Sequence, residues 1–377
     1  MVDVLEVKVA ETVFILGAGA SRHAGAPLTA DFLDKADAIH KKLPSGPDRD
    51  AFGKVFEARS KLQLVHSKAQ LNLDNIESVF AAFEMGRVAD RLPGIGGRAE
   101  AEELLTCLRR VISLTLQDAI MYPVRDTIIR PTAAYEAFAE LIALLCPPGA
   151  AARCSVVSFN YDVALDFALF HKLGSVNYCM KGDERAAGPP VLKLHGSLNW
   201  TRCSECGKLV ALRIQDMWHD GKARHRQGAE GPLLVVTMLE NLASDQRFSH
   251  CTGKNLVSEP FLVPPTWNKM SYYADTVLGG LWQRAATELA NAENIFVFGY
   301  SLTESDLPFR YLYGLGSAAG PPIKRFWVFD PAPEQQGVEL EKRFRGLIGY
   351  GVESRFRLFR ERFEPAVVTA TRELVAQ

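Results

Sequence analysis

Val13-Phe-Ile-Leu-Gly-Ala-Gly-Ala-Ser21 is the stretch on which the fold turns. Val13, Phe14 and Ile15 favour a strand, and the apolar run ends in Gly17-Ala18-Gly19. This reads as a buried strand closing in a tight turn, where the backbone can come close to a phosphate. The third glycine of the dinucleotide fingerprint would fall at position 22, which is Arg22. The turn alone therefore does not separate a nucleotide cradle from a plain structural bend.

Outward from this turn the order of elements is unusual. A dehydrogenase would place a second strand ending in Asp or Glu about 20 residues beyond the glycines. Thr29 to Leu43 instead has helical spacing, with Phe32, Leu33, Ala36 and Ile39 on one side. Helical periods continue over Asp50 to Leu64, Asp74 to Leu92, Arg98 to Met121 and Thr132 to Leu145. In the second of these Asp74 is expected to cap with Glu77. Its apolar stripe comprises Ile76, Val79, Phe80, Phe83 and Val88. Residues 50–147 are thus expected to form a helical insertion into, or a layer beside, a sheet.

Strand, polar tip and helix then alternate. Ser155 to Phe159 leads to Asn160-Tyr161-Asp162, Val191 to Leu194 leads to His195-Gly196, and Ile295 to Phe298 leads to Gly299-Tyr300-Ser301. Arg325 to Phe329 ends at Asp330, and the C-terminus beyond reads as helices. Thr303 and Asp306 are expected to cap the helix through Leu315. The polar stretch 201–255 reads as an insertion containing one strand, Leu233 to Val236, and the Cys203-Ser-Glu-Cys206 pair. The pattern predicts an α/β fold: a Rossmann-like, mostly parallel sheet with helices on both faces, a large helical insertion and a small zinc-knuckle insertion, in a single domain over 1–377. Polar tips at the carboxyl ends of parallel strands converge on one edge, where a dinucleotide would lie.

Composition narrows the function classes. The chain is 47% hydrophobic with a net charge of −1, so no global basic footprint suggests direct nucleic-acid binding. No run of about 18 apolar residues suggests a membrane span, and the N-terminus lacks a signal-peptide core, so a cytoplasmic location is expected. Seven cysteines, an odd number with one close pair, fit reduced thiols and a metal site better than a disulfide framework.

With these motifs assembled, the chain resembles the sirtuin superfamily. Gly17-Ala-Gly-Ala-Ser21 is similar to its glycine motif, Ser158-Phe-Asn-Tyr-Asp162 to its Asn-x-Asp motif, Leu194-His195-Gly196 to its catalytic His-Gly, and Gly299-Tyr-Ser301 to its late Gly-x-Ser motif. A Cys-x-x-Cys soon after the His-Gly is where sirtuins start their zinc module. Two departures separate the chain from the protein deacylases. Leu33 stands where their Pro-Asp-Phe-Arg segment has arginine, and Val263-Pro-Pro-Thr-Trp-Asn-Lys269 stands where their Phe-Gly-Glu lies. That segment, Asp74-Asn-Ile-Glu77 and Phe298-Gly-Tyr-Ser-Leu-Thr-Glu-Ser-Asp306 look like the sirtuin-like effectors of prokaryotic antiphage defence, which hydrolyse NAD outright.

The resemblance implies an NAD glycohydrolase. His195, with an ordinary pKa near 6.5, can accept a proton from water or a ribose hydroxyl. Asn160 offers both a donor and an acceptor to place that water. By resemblance the Gly17, Ala18, Gly19 and Ser21 backbone would hold the pyrophosphate, and Asp162 would face the nicotinamide amide. Gly299, Ser301 and Asp330 would lie near the adenosine half. His195 and Asn160 are both expected at exposed strand ends. Cys203 and Cys206, with Cys251 downstream beside His250, supply zinc-ligand chemistry, and His219 or His225 could complete the set; a metal-free pair of thiols is the other reading. A homo-oligomer is expected, with a separately encoded ATPase or nuclease partner implied by the resemblance. A protein deacylase and an NAD-binding sensor or scaffold without turnover are the alternatives.

Overall fold

The protein is described by a computed structural model over residues 11–64, 71–125, 128–180, 188–212, 214, 223–228, 231–236, 250–251, 256–264, 276–303, 306–317 and 320–375. In chain order the elements are β1 (Thr12–Leu16), a 3-10 turn (Ala18–Ala24), α1 (Phe32–His40), α2 (Pro47–Leu64), α3 (Ile76–Val88), α4 (Arg98–Ala119), β2 (Tyr122–Arg125), β3 (Ile128–Ile129), α5 (Ala133–Leu145), β4 (Cys154–Ser158) and α6 (Ala164–Leu173). Then follow β5 (Val191–Lys193), β6 (Trp200–Arg202), β7 (Leu209–Ala211), β8 (Ala223–Gly228) and β9 (Gly231–Val236). The last are α7 (Thr276–Ala290), β10 (Asn294–Phe298), α8 (Leu307–Gly316), β11 (Arg325–Phe329), α9 (Glu334–Arg345), β12 (Phe356–Phe359) and α10 (Phe363–Val375).

Six of the strands form one sheet in the order β12-β11-β10-β1-β4-β5, and every pairing in it is parallel. Numbered within the sheet this is the 3-2-1-4-5-6 order of dinucleotide-binding sheets. The chain winds from β1 to β4 and β5 on one side, then from β10 to β11 and β12 on the other. In a sheet wound outward in both directions, crossovers of the usual right hand put the connecting helices of the two halves on opposite faces. The central strands β1, β4 and β10 are buried along their whole length, as strands covered on both faces must be.

An aromatic ladder runs across the strands. Phe298 stacks on its register partner Phe329 with ring centroids 5.1 Å apart, and Phe329 on Phe359 at 4.8 Å. Phe14 meets Phe138 of α5 edge-on at 5.2 Å. Each such pair adds about 0.5–1.5 kcal/mol beyond the area it buries.

Two compact units divide the chain. One comprises Met1–His23, Arg125–Gly196 and Ser271–Gln377 and holds the six-stranded sheet. The other comprises Ala24–Val124 and Ser197–Met270. In it α4 packs against α1, α2 and α3, β2 and β8 flank β9 antiparallel, and β6 and β7 form a hairpin. The helical block expected over 50–147 thus distributes with α2–α4 in the second unit and α5 in the first. Among the described residues no helix is long and apolar enough to cross a membrane.

Three local expectations are corrected. The C-terminal stretch is not wholly helical: β12 adds to the sheet edge, and its four residues, with Arg357 exposed, are too few to show a period. The cap of α3 is Asn75, whose side chain accepts from the Ser78 N–H at 2.9 Å, in place of Asp74. Val88, at the final residue of α3, is exposed, whereas Ile76, Val79, Phe80 and Phe83 pack inward.

Candidate active site and metal centre

Because the strands are parallel, the tips after β1, β4, β5, β10 and β11 all emerge at one edge, where the sequence motifs reside. At the centre the tips of β1 and β10 cross in backbone contact. The Gly17 N–H donates to the Phe298 carbonyl at 3.0 Å and the Gly19 N–H to the Gly299 carbonyl at 2.9 Å. A Cβ on Gly17 would lie 2.6 Å from the Gly299 oxygen, and one on Gly19 would lie 2.7 Å from the Gly299 Cα. Gly299 has φ +57° and faces Gly19 and Ala20 equally closely. The glycines are therefore demanded by the crossing itself. What this turn offers a dinucleotide is close approach; those two N–H groups are already bonded.

Ser21 is fully buried, and its hydroxyl works inside the protein. It shares a 2.6 Å hydrogen bond with the Tyr135 hydroxyl of α5 and accepts from Asn160 Nδ2 at 3.1 Å. The opposite end of the same amide, Asn160 Oδ1, is buried and has no hydrogen-bond partner among the described residues. A buried acceptor left alone costs about 1–3 kcal/mol, so a polar atom of water or ligand is the expected complement.

His195 follows β5, the neighbour of β4. The rings flanking Asn160 in sequence both lie against it, with Phe159 at 5.0 Å and Tyr161 at 6.1 Å between centroids. Phe159 in turn stacks on Tyr300, 4.2 Å away with the two rings nearly parallel. These rings overturn the expectation of exposed strand ends: His195 is 8% and Asn160 7% exposed. Nε2 of His195 is 3.8 Å from Asp306 Oδ1.

Asp162 is buried too. Its Oδ1 accepts from the Ala164 N–H at 3.0 Å, starting α6, and desolvation pushes its carboxyl up from the usual range, with the Lys193 charge opposing. Lys193 is almost fully buried. It donates to the Asp162 main-chain carbonyl at 2.5 Å and to Asp166 Oδ2 at 3.0 Å, while the Tyr178 hydroxyl donates to Asp166 Oδ1. One ammonium thus ties the end of β5 to the loop that carries Asn160. Of the remaining expected residues, Ser301 is exposed, and Asp330 is half-buried with its Oδ1 accepting from the Ala332 N–H at 2.9 Å.

Sequence reading did not single out Tyr135, Lys193 or Asp306 for this site. Tyr135 sits mid-helix with nothing local to mark it. Lys193 did leave a signal, a charge inside the apolar run Val191 to Leu194. Asp306 reads in the sequence as a helix cap, but its carboxylate makes no capping bond; Thr303 Oγ1 donates to its Oδ2 at 3.1 Å.

In the second unit, Cys203 directly follows β6, the first strand of the β6–β7 hairpin, and Cys206 lies in the turn. The Gly207 N–H closes on the Cys203 carbonyl at 2.8 Å, with Gly207 at φ +69°. Cys251 Sγ is 3.7 Å from Cys203 Sγ. His250 Nδ1 is 3.3 Å from Cys206 Sγ and 3.5 Å from Cys251 Sγ. Tetrahedral zinc with Zn–S about 2.3 Å and Zn–N about 2.0–2.1 Å requires ligand edges of roughly 3.5–3.8 Å. Cys203, Cys206, His250 and Cys251 therefore fit a closed structural zinc site. The fourth donor in the cluster is His250, and His219 lies outside the described residues. All seven cysteines are free of disulfides. Metal analysis is expected to find about one zinc per chain. Cys203→Ser should lower the melting temperature more than any rate. Protein purified without chelators that carries no zinc, and whose melting is unmoved by chelation, would refute the site.

No family model matches the chain, and no curated protein matches it. Among solved structures it is similar to a Sir2 homologue in complex with NAD, at 14% identity and a TM-score of 0.38, covering 97% of this chain and 89% of that one. It is also similar to a structure described as the structural basis for the mechanism and regulation of Sir2 enzymes, at 13% identity and a TM-score of 0.41, covering 97% and 92%. A third is Sir2Tm bound to a propionylated peptide, at 13% identity and a TM-score of 0.38, covering 98% and 95%.

Proposed function

We propose that the protein is a sirtuin-like NAD hydrolase, releasing nicotinamide and ADP-ribose. The observation that carries this reading is the pair Asn160 and His195 at the tips of adjacent parallel strands, with Asn160 Oδ1 buried and unpartnered among the described residues. Beside the pair runs the β1–β10 crossing, the point where strand order reverses and where ligands of such sheets bind.

In the reaction the bond from ribose C1′ to the nicotinamide nitrogen breaks, and its electron pair leaves with nicotinamide. Water oxygen bonds to C1′, and the proton that water loses passes to His195. Asn160 Oδ1 accepts a hydrogen bond from that water or from a ribose hydroxyl. The rings of Phe159, Tyr161 and Tyr300 keep bulk solvent from the pair. Zinc, held in the second unit, is structural in this scheme.

The likeness of Asp74-Asn-Ile-Glu77 and Phe298 to Asp306 to antiphage effectors supports a role in NAD depletion. Residues 265–269 of the third such segment lie outside the described residues. Such an activity needs restraint, and we place it in a homo-oligomer or in a separately encoded ATPase or nuclease. Incubating the purified protein with NAD, with and without an acetylated peptide, tests the reading. Nicotinamide and ADP-ribose are expected without peptide; product formed only with peptide, as O-acyl-ADP-ribose, would establish a deacylase instead.

A further inference from the structure

We propose that Asp306 is a positioning residue for His195, holding its ring in the Nε2–H tautomer so that the basic lone pair sits on Nδ1. The inference rests on the reading of His195 as the base. A neutral imidazole has one donor and one acceptor nitrogen, and an ionised carboxylate can only accept. The nitrogen facing the carboxylate therefore carries the hydrogen. Here that nitrogen is Nε2, 3.8 Å from Asp306 Oδ1, with both side chains less than one-tenth exposed. Unbound catalytic contacts of this length commonly tighten when substrate arrives.

Asp306 is set for this task and not for the one its place in the sequence suggests. It stands at the N-cap position of α8 without making the side-chain cap hydrogen bond of that position. Thr303 grips it twice: the hydroxyl donates to Oδ2, and the Asp306 N–H donates to the Thr303 carbonyl at 3.0 Å. The approach to Thr303 is strained, since buried Leu302 adopts φ +48°, a conformation that costs a non-glycine residue on the order of 1–3 kcal/mol.

Imidazole nitrogen correlation spectra of the full-length 15N-labelled protein, with His195 assigned by loss of its signals in His195→Gln, test the proposal directly. At a pH where the ring is neutral, the wild-type protein should show the Nε2–H form. Asp306→Asn, whose amide can donate to Nε2, should move the ring towards Nδ1–H and lower kcat on the order of 10²-fold with KM little changed. An Nδ1–H ring in the wild-type protein, or an unchanged tautomer in folded Asp306→Asn, would overturn it. If Asp306→Asn does not fold, the wild-type spectrum alone decides. The tautomer is readable whether or not NAD is the substrate, so failure of the NAD reading shows separately, as absence of nicotinamide release.

Discussion

His195→Ala is expected to lower NAD turnover on the order of 10²–10⁴-fold, the range for loss of a general base. That corresponds to about 3–5 kcal/mol of barrier. Asn160→Ala should fall in the same range, because it removes the acceptor that places the attacking group and releases the Ser21 hydroxyl from its 3.1 Å contact. Both side chains are buried, so each truncation also leaves a small void and should cost some stability. Activity must therefore be compared on protein shown to be folded by its melting transition, with NAD binding measured separately. If either folded variant bound NAD and still turned it over at more than about a tenth of the wild-type rate, that residue's assigned role would be wrong.

The second large effect concerns Lys193. Lys193→Met should destabilise the protein by about 3–5 kcal/mol, because it strands the Asp166 carboxylate, itself fully buried, without its cation. It also frees the Asp162 carbonyl, and with it the loop that presents Asn160. Urea unfolding reads the loss. A double variant, Lys193→Met with Asp166→Asn, removes both charges and should recover much of the stability, since the Tyr178 hydroxyl can still donate to the amide oxygen at position 166. A single variant within about 1 kcal/mol of the wild-type protein would mean that the pair is not a buried ion pair in solution.

The strands that read most clearly were those whose residues are apolar throughout, such as Val13 to Leu16 and Ile295 to Phe298, because burial on both faces leaves no polar position to blur the run. Their polar tips were legible for the same reason, as abrupt changes of character at strand ends. What the chain did not disclose locally depends on long-range partners. Tyr135 meets Ser21 across 114 positions of sequence, and His250 joins Cys206 across 44. A one-dimensional period carries no trace of either contact. Edge strand β12 escaped because an outer strand may keep a charged residue such as Arg357 in solvent, which erases the apolar signature.

The β1–β10 crossing bears on how mutants of this protein are to be interpreted. Alanine at Gly17, Gly19 or Gly299 would thrust a methyl group into backbone no more than 2.7 Å away, with no flexible side chain to yield. Inactivity in such a variant would report a displaced strand tip before it reported anything about phosphate. The usual diagnostic of a glycine-rich nucleotide motif is therefore uninformative in this chain, and the contribution of the turn to ligand binding has to be measured with the glycines left in place, by varying the ligand.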